Sequence, residues 1–145
     1  GQSWSTSNYP SIYSSSLALD KDHRPVVTFA DGDTVRLRYV DANAEEYAPA
    51  ISAGNQPANP KLAIDTQNRA VVVWTYSDAG TRDVRVARWT GSEWDTSFGS
   101  LSALPVAGSD ASVPVIAIDG SDAPIIAWQE VDPFRSATYV RKSNR

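Results

Sequence analysis

The sequence has no cysteine, no methionine and a single histidine among its 145 residues. Without cysteine there is no disulfide, no thiol nucleophile and no thiolate metal site. With one histidine, neither a histidine metal cluster nor a Ser-His-Asp triad can be built within one chain. No run of ~18 apolar residues occurs, so no helical membrane span is expected. Positive charge is not in excess either, since 13 Lys+Arg stand against 17 Asp+Glu for a net −4. Nucleic acid wants a basic face and is not an expected partner. The Asn-x-Ser/Thr sequon is missing, which excludes N-glycosylation by that route. Methionine is missing even at position 1, so Gly1 is expected to be a cut end, of a processed chain or of a piece of a longer one.

What remains is β-forming. Fourteen Val, seven Ile and nine Thr accompany eight Gly and nine Pro, with only four Glu and three Lys. The length fits one domain, able to bury roughly 68–70% of its unfolded surface.

The chain repeats itself. Leu17-Ala-Leu-Asp20, Leu62-Ala-Ile-Asp65 and Ile116-Ala-Ile-Asp119 are one tetrapeptide written three times. A polar turn follows each, then a β-branched run ending in an aromatic: Pro25 to Phe29, Ala70 to Trp74 and Pro124 to Trp128. These runs are too uniformly apolar for a half-exposed strand. Val26, Val27, Val71, Val72, Ile125 and Ile126 are therefore expected to be almost fully buried. An alternating third strand comes next, over 35–39, 84–89 and 137–141. A fourth carries Tyr47 in the first unit and Trp94 in the second.

The third unit ends at Arg145 without a fourth strand of its own. Residues 1–7, with Trp4, copy residues 91–97, with Trp94, almost residue for residue. Residues 1–9 are thus expected to pair beside 136–143, in the same chain or another. Trp4, Tyr139 and Val140 would be the residues of that assembly strand. The boundaries read as 1–16 for this strand and linker, then units over 17–61, 62–115 and 116–145.

Four-stranded units of this length with periodic aromatics are the signature of β-propeller blades. On the apolar-Ala-Ile-Asp turns, the Pro-Val-Val-x-aromatic runs and the Arg88-Trp-x-Gly-x-x-Trp94 stretch, the chain resembles bacterial cell-surface propeller repeats of the sialidase-like, Asp-turn type. The resemblance implies an all-β propeller of three four-stranded antiparallel repeats, secreted or displayed on a cell surface. Three blades are too few to close a ring of the usual four to eight. The expected partners are therefore other copies of the chain, as a homodimer or a filament, or further blades of a longer parent.

Trp4, Tyr47, Trp89 and Trp94 are the candidate ligand-binding residues, because exposed aromatics can stack on sugar rings; covering an inter-blade groove is the competing role. Phe29, Trp74 and Trp128 recur in every unit and are read as packing between blades. Asp20, Asp65 and Asp119 read as turn caps rather than calcium ligands, which need six to eight oxygens. His23 takes the place of Asn68 and Asp122 in a turn and is not read as a base. Three acid-and-arginine loops are aligned as counterparts: Asp31, Asp33 and Arg36; Asp78, Arg82 and Asp83; Glu130, Asp132 and Arg135. No catalytic residue, metal or cofactor is assigned. The leading expectation is a non-enzymatic scaffold or recognition module. A carbohydrate-binding, lectin-like propeller is the alternative, and a sialidase-type hydrolase fragment a distant third.

Overall fold

A computed structural model of the chain describes residues 14–40, 45–78, 80–101 and 110–144, with the backbone alone at 45–47 and 78. The described residues form twelve strands and no helix, hence no helix able to cross a membrane. Unit 1 contains β1 (Ser15–Leu19), β2 (Pro25–Asp31), β3 (Thr34–Val40), β4 (Glu45–Tyr47) and β5 (Ile51–Ser52). Unit 2 contains β6 (Ala58–Ile64), β7 (Ala70–Asp78), β8 (Thr81–Trp89) and β9 (Trp94–Asp95). Unit 3 contains β10 (Asp110–Ile118), β11 (Pro124–Asp132) and β12 (Arg135–Lys142). Each unit is an antiparallel meander, and β5 pairs with β3 beyond the short β4. One parallel bridge, Asp110 to Arg82, joins units 2 and 3 into a single sheet. Among the described residues the sheets do not close into a ring. Trp4 and the strand expected over residues 1–9 lie outside the described residues, as does the side chain of Tyr47.

The Asp turns are built alike. Asp20 Oδ1 accepts the amides of Asp22 and Arg24 at 2.9 and 2.8 Å. Asp65 Oδ1 takes those of Gln67 and Arg69, and Asp119 Oδ1 those of Ser121 and Ala123. The carboxylate thereby satisfies amides that the hairpin leaves over. The fourth residue of each turn is left-handed: His23 at φ 61°, Asn68 at 66° and Asp122 at 62°. This conformation favours Asn, Asp and His among non-glycine residues, which accounts for their interchange.

Two cores lie between the three units. Val26, Val35 and Leu37 of unit 1 pack on Leu62, Val72 and Trp74 of unit 2. On the opposite face of unit 2, Val71, Val73, Val84 and Val86 pack on Ile126 and Trp128 of unit 3. Burial of the β-branched runs is complete only in the middle unit, where Val71 and Val72 are both inaccessible. Val27 and Ile125, expected to be almost fully buried, are half-buried. The reason is positional: each points away from unit 2, to the side where no further sheet stands among the described residues.

The inner strands begin earlier than the tetrapeptides suggest, at Ser15, Ala58 and Asp110. In units 2 and 3 the extension passes through a bulge at Asn59-Pro60 and at Val113-Pro114, where Asn59 and Val113 take φ of 51° and 49°. Proline has no amide to give the ladder, and a bulge is where a strand accommodates it.

Candidate functional site

Besides a recess of about 590 Å3 at Asp33, Asn59, Ser77 and Arg82, two recesses open along the boundary between units 1 and 2. The first lies at the Asp-turn end. Tyr39 from β3 and Trp89 from β8 face it, with Lys21, Arg24, Asn68 and Arg69 from the two turns around a space of about 350 Å3. Its cations are held by the turns: Arg24 Nε stands 2.8 Å from Asp20 Oδ2, and Arg69 Nε 2.7 Å from Asp65 Oδ2. The Arg24 guanidinium also lies 5.7 Å from the centre of the Tyr39 ring. Trp89 leans on Trp94 with centroids 5.3 Å apart. Trp94 donates its indole N–H to Pro49 O at 2.6 Å, tying β9 to unit 1. Both tryptophans are half-buried against the first core. The structure thus brings Trp89 and Trp94 together and gives Trp94 a packing role.

The second recess is nearer the opposite end. Trp74 and Tyr76 of β7, Arg85 of β8 and the backbone of Ala53 and Gly54 line about 280 Å3, with Thr96 and Gly99 at its rim. Trp74 is buried and donates its indole N–H to Ala53 O at 3.4 Å. Tyr76 is half-buried. Arg85 Nη2 donates to the Tyr76 hydroxyl at 3.1 Å, and its guanidinium carbon lies 4.6 Å from the ring centre. Arg85 Nε is 3.3 Å from Asp83 Oδ2, which balances its charge. Gly54 approaches so closely that a Cβ there would stand 2.7 Å from Tyr76 Cδ2. An aromatic ring, a guanidinium and a main-chain carbonyl around a space near the low end of roughly 300–1,000 Å3 suit a small polyhydroxylated ligand.

Sequence reasoning missed Tyr76 and Arg85. The register pairs Phe29 with Arg36, Trp74 with Arg85 and Trp128 with Tyr139. Counting two residues on from the aromatic, Tyr76 therefore matches Asp31 and Glu130. The alignment of Asp78, Arg82 and Asp83 with Asp31, Asp33 and Arg36 is corrected accordingly. The β7–β8 hairpin turns after Asp78, four residues beyond its aromatic, whereas the β2–β3 hairpin turns after Asp31, only two beyond. The repeated aromatic, not the acid-rich turn, is the landmark that would have found them.

The equivalent positions are filled differently in the other units. In unit 1, Arg36 Nε meets Asp31 Oδ2 at 2.6 Å. In unit 3, Trp128 donates to Glu130 Oε1 at 2.8 Å and stacks on Tyr139, with Glu130 inaccessible. Glu130 therefore sits between units 2 and 3 rather than in an end loop. Asp132 caps its hairpin, accepting the amides of Phe134 and Arg135 and pairing with Arg135 Nε at 3.0 Å. The amide of Phe134 above all holds its carboxyl below the usual range, against the opposing effect of burial. Tyr139 and Val140 lie on β12, the last strand of its sheet among the described residues.

No protein-family model matches the sequence, and no curated protein matches it. Among solved structures the chain is similar to an endo-arabinase from Bacteroides thetaiotaomicron VPI-5482, at 11% identity and a TM-score of 0.60 over 90% of this chain. It is also similar to a fucose lectin from Kordia zhangzhouensis in complex with methyl-fucoside, at 12% identity and a TM-score of 0.49, covering 91% of this chain and 99% of the lectin. The chain spans 55% of the length of the endo-arabinase. The fold is all-β and of the β-propeller type.

Proposed function

We propose that the chain is a non-enzymatic recognition module, secreted or displayed at a cell surface, that works in a propeller completed by further blades. The observation carrying this reading is the contrast between the middle unit, packed on both faces, and the end units, where Leu17 and Leu19 on β1 and Val115, Val131 and Val140 of unit 3 stay exposed, although Phe29 and Arg38, on the same side of unit 1 as Leu17, are buried. Propeller blades stabilise one another through such faces, and a segment with two left open is suited to joining others. The carboxylates behind the arginines of the two recesses, Asp20, Asp65 and Asp83, are engaged in ion pairs, which supports a binding role. Micromolar protein is expected to leave a fluorogenic sialoside and an aryl arabinoside unhydrolysed. Turnover that disappears on substitution of one of its own carboxylates would refute the reading.

The Tyr76–Arg85 recess favours carbohydrate as the ligand class. The half-buried ring offers apolar surface beside the guanidinium that lies over one of its faces, and guanidinium and carbonyl offer hydrogen bonds to hydroxyls. A glycan array with the wild-type chain is expected to give binders that lose at least ~10-fold in affinity with Tyr76→Ala or Arg85→Ala. Trp89→Ala, in the other recess, should leave that binding unchanged. An array without binders, or binders indifferent to both substitutions, would remove carbohydrate from this recess.

A further inference from the structure

We infer that the exposed inner-strand side of unit 1, at Leu17 and Leu19, and the exposed face of unit 3 are the two halves of one interface, and that their occupant is a second copy of this chain joined head to tail. The inference rests on the recognition-module reading only in its need for further blades.

Equivalent positions carry the case. Leu17 pairs with Val27 as Leu62 pairs with Val72, so the two leucines stand at the same place in units 1 and 2. Leu62, with unit 1 against it, is 8% exposed, while Leu17 is 64% exposed. Val140 pairs with Ala127 as Val86 pairs with Val73. Val86, with unit 3 against it, is 2% exposed, and Val140 is 65% exposed. Leu19 extends the open face of unit 1, and Val115 and Val131 that of unit 3. Unit 1 thus shows the side that each later unit turns to its predecessor. Unit 3 shows the side that each earlier unit turns to its successor. The faces are complementary to each other and not each to itself, which is the geometry of a heterologous contact.

A polar ladder along the turns has the same polarity and the same two loose ends. Lys21 N–H of unit 1 donates to Asn68 Oδ1 of unit 2 at 2.8 Å. Thr66 N–H of unit 2 donates to Asp122 Oδ1 of unit 3 at 2.9 Å. In each rung the donor follows the turn aspartate, and the acceptor is the left-handed fourth residue of the next unit. Gly120 holds the donor position in unit 3, and its amide has no partner among the described residues. His23 holds the acceptor position in unit 1, at φ 61°, and a neutral imidazole nitrogen accepts such an amide. A copy placed as unit 2 sits on unit 1 sets Gly120 of one chain against His23 of the other. Two copies supply six units, within the four to eight of closed propellers, and two identical junctions.

Sedimentation of the 145-residue chain at micromolar concentration tests this. The expected particle has twice the 15.7 kDa chain mass. Leu17→Asp and Val140→Asp, both at exposed sites of the single chain, should each keep a native circular-dichroism spectrum and raise the dissociation constant at least ~100-fold. His23→Ala should raise it roughly tenfold, as for lost hydrogen bonds. Mixing the Leu17→Asp and Val140→Asp chains leaves one intact junction per pair, so the mixture should regain two-chain particles that neither variant forms alone. A monomeric wild type would overturn the inference and leave the recognition reading standing. A dimer indifferent to both aspartates, variants not rescued by mixing, or an open-ended polymer would each overturn it as well.

Discussion

The carboxylate of Asp122 in the third unit takes two hydrogen bonds from Thr66 in the second, from the amide at 2.9 Å and from the hydroxyl at 2.7 Å. The Asp122 carbonyl also accepts from Arg88 Nη2 at 2.9 Å. One turn residue thus ties two units whose apolar contact lies further in. Asp122→Ala should cost about 1–2 kcal/mol for these bonds and roughly 1 more for a left-handed alanine. Asp122→Asn keeps Oδ1 and suits the backbone, as Asn68 does, so its cost should stay within about 0.5–1 kcal/mol. Urea unfolding midpoints compare the two. Equal losses would mean that the side chain does not join the units.

Acid should weaken the fold through its turns. Lys142, followed by the Ser121 hydroxyl, holds the Asp119 carboxyl well below the usual range. The amide and hydroxyl of Thr66 hold Asp122 down, and the amide of Phe134 holds Asp132 down. At Asp20 burial pushes upward, but the amide and guanidinium of Arg24 outweigh it. A carboxyl lowered in the fold stabilises it fully above the unfolded value of about 3.9, and that stabilisation is lost as pH falls through the folded value. Tm should therefore hold steady from about pH 7 to 5 and decline below about 4. A Tm unchanged down to pH 2 would show that these bonds contribute nothing to folding.

Val27 and Val72 are the same residue at the same place in two units, half-buried in the first and inaccessible in the second. A carboxylate at 72 would lie unpaired between two sheets, at a cost of several kcal/mol, enough to unfold a marginal domain. At 27 it would keep contact with water. Val72→Asp is expected to abolish the folded circular-dichroism signal, and Val27→Asp to lower Tm while keeping it. If both variants unfold, the open face of unit 1 is not open.

Much of this was legible because a repeat states its own rules three times. Asp20, Asp65 and Asp119 disclosed the turns, and Phe29, Trp74 and Trp128 disclosed packing between units. Two things escaped. Whether Val27 or Ile125 is covered depends on what stands beyond unit 1 or unit 3, and a periodic run cannot say where its neighbours stop. Tyr76 and Arg85 escaped because β7 and β8 run further past the aromatic than β2 and β3, which slid an alignment made on acidic turns. Trp89, closing the third strand, and Trp94, on the fourth, were legible as candidate aromatics, but their contact was not. That Trp94 Nε1 reaches Pro49 O, 45 residues away, is a tertiary fact no local pattern encodes.

Gly54 offers the sharpest test of the Tyr76 recess. Its φ of +80° is left-handed, so alanine there costs about 1–2 kcal/mol wherever it points. It also points at a ring, since the new Cβ would meet Tyr76 Cδ2 at 2.7 Å and Cε2 at 3.1 Å. A ring cannot bend away as a flexible chain does. It must rotate, and its hydroxyl and face are what Arg85 holds. Gly54→Ala should therefore cost more than the backbone alone. In a Tyr76→Ala background the contact is gone and only the backbone cost should remain. A double-mutant cycle by urea unfolding is expected to show a coupling above about 0.5 kcal/mol between the two sites. Strictly additive costs would mean that Gly54 is required by its own backbone and that the ring has room to spare.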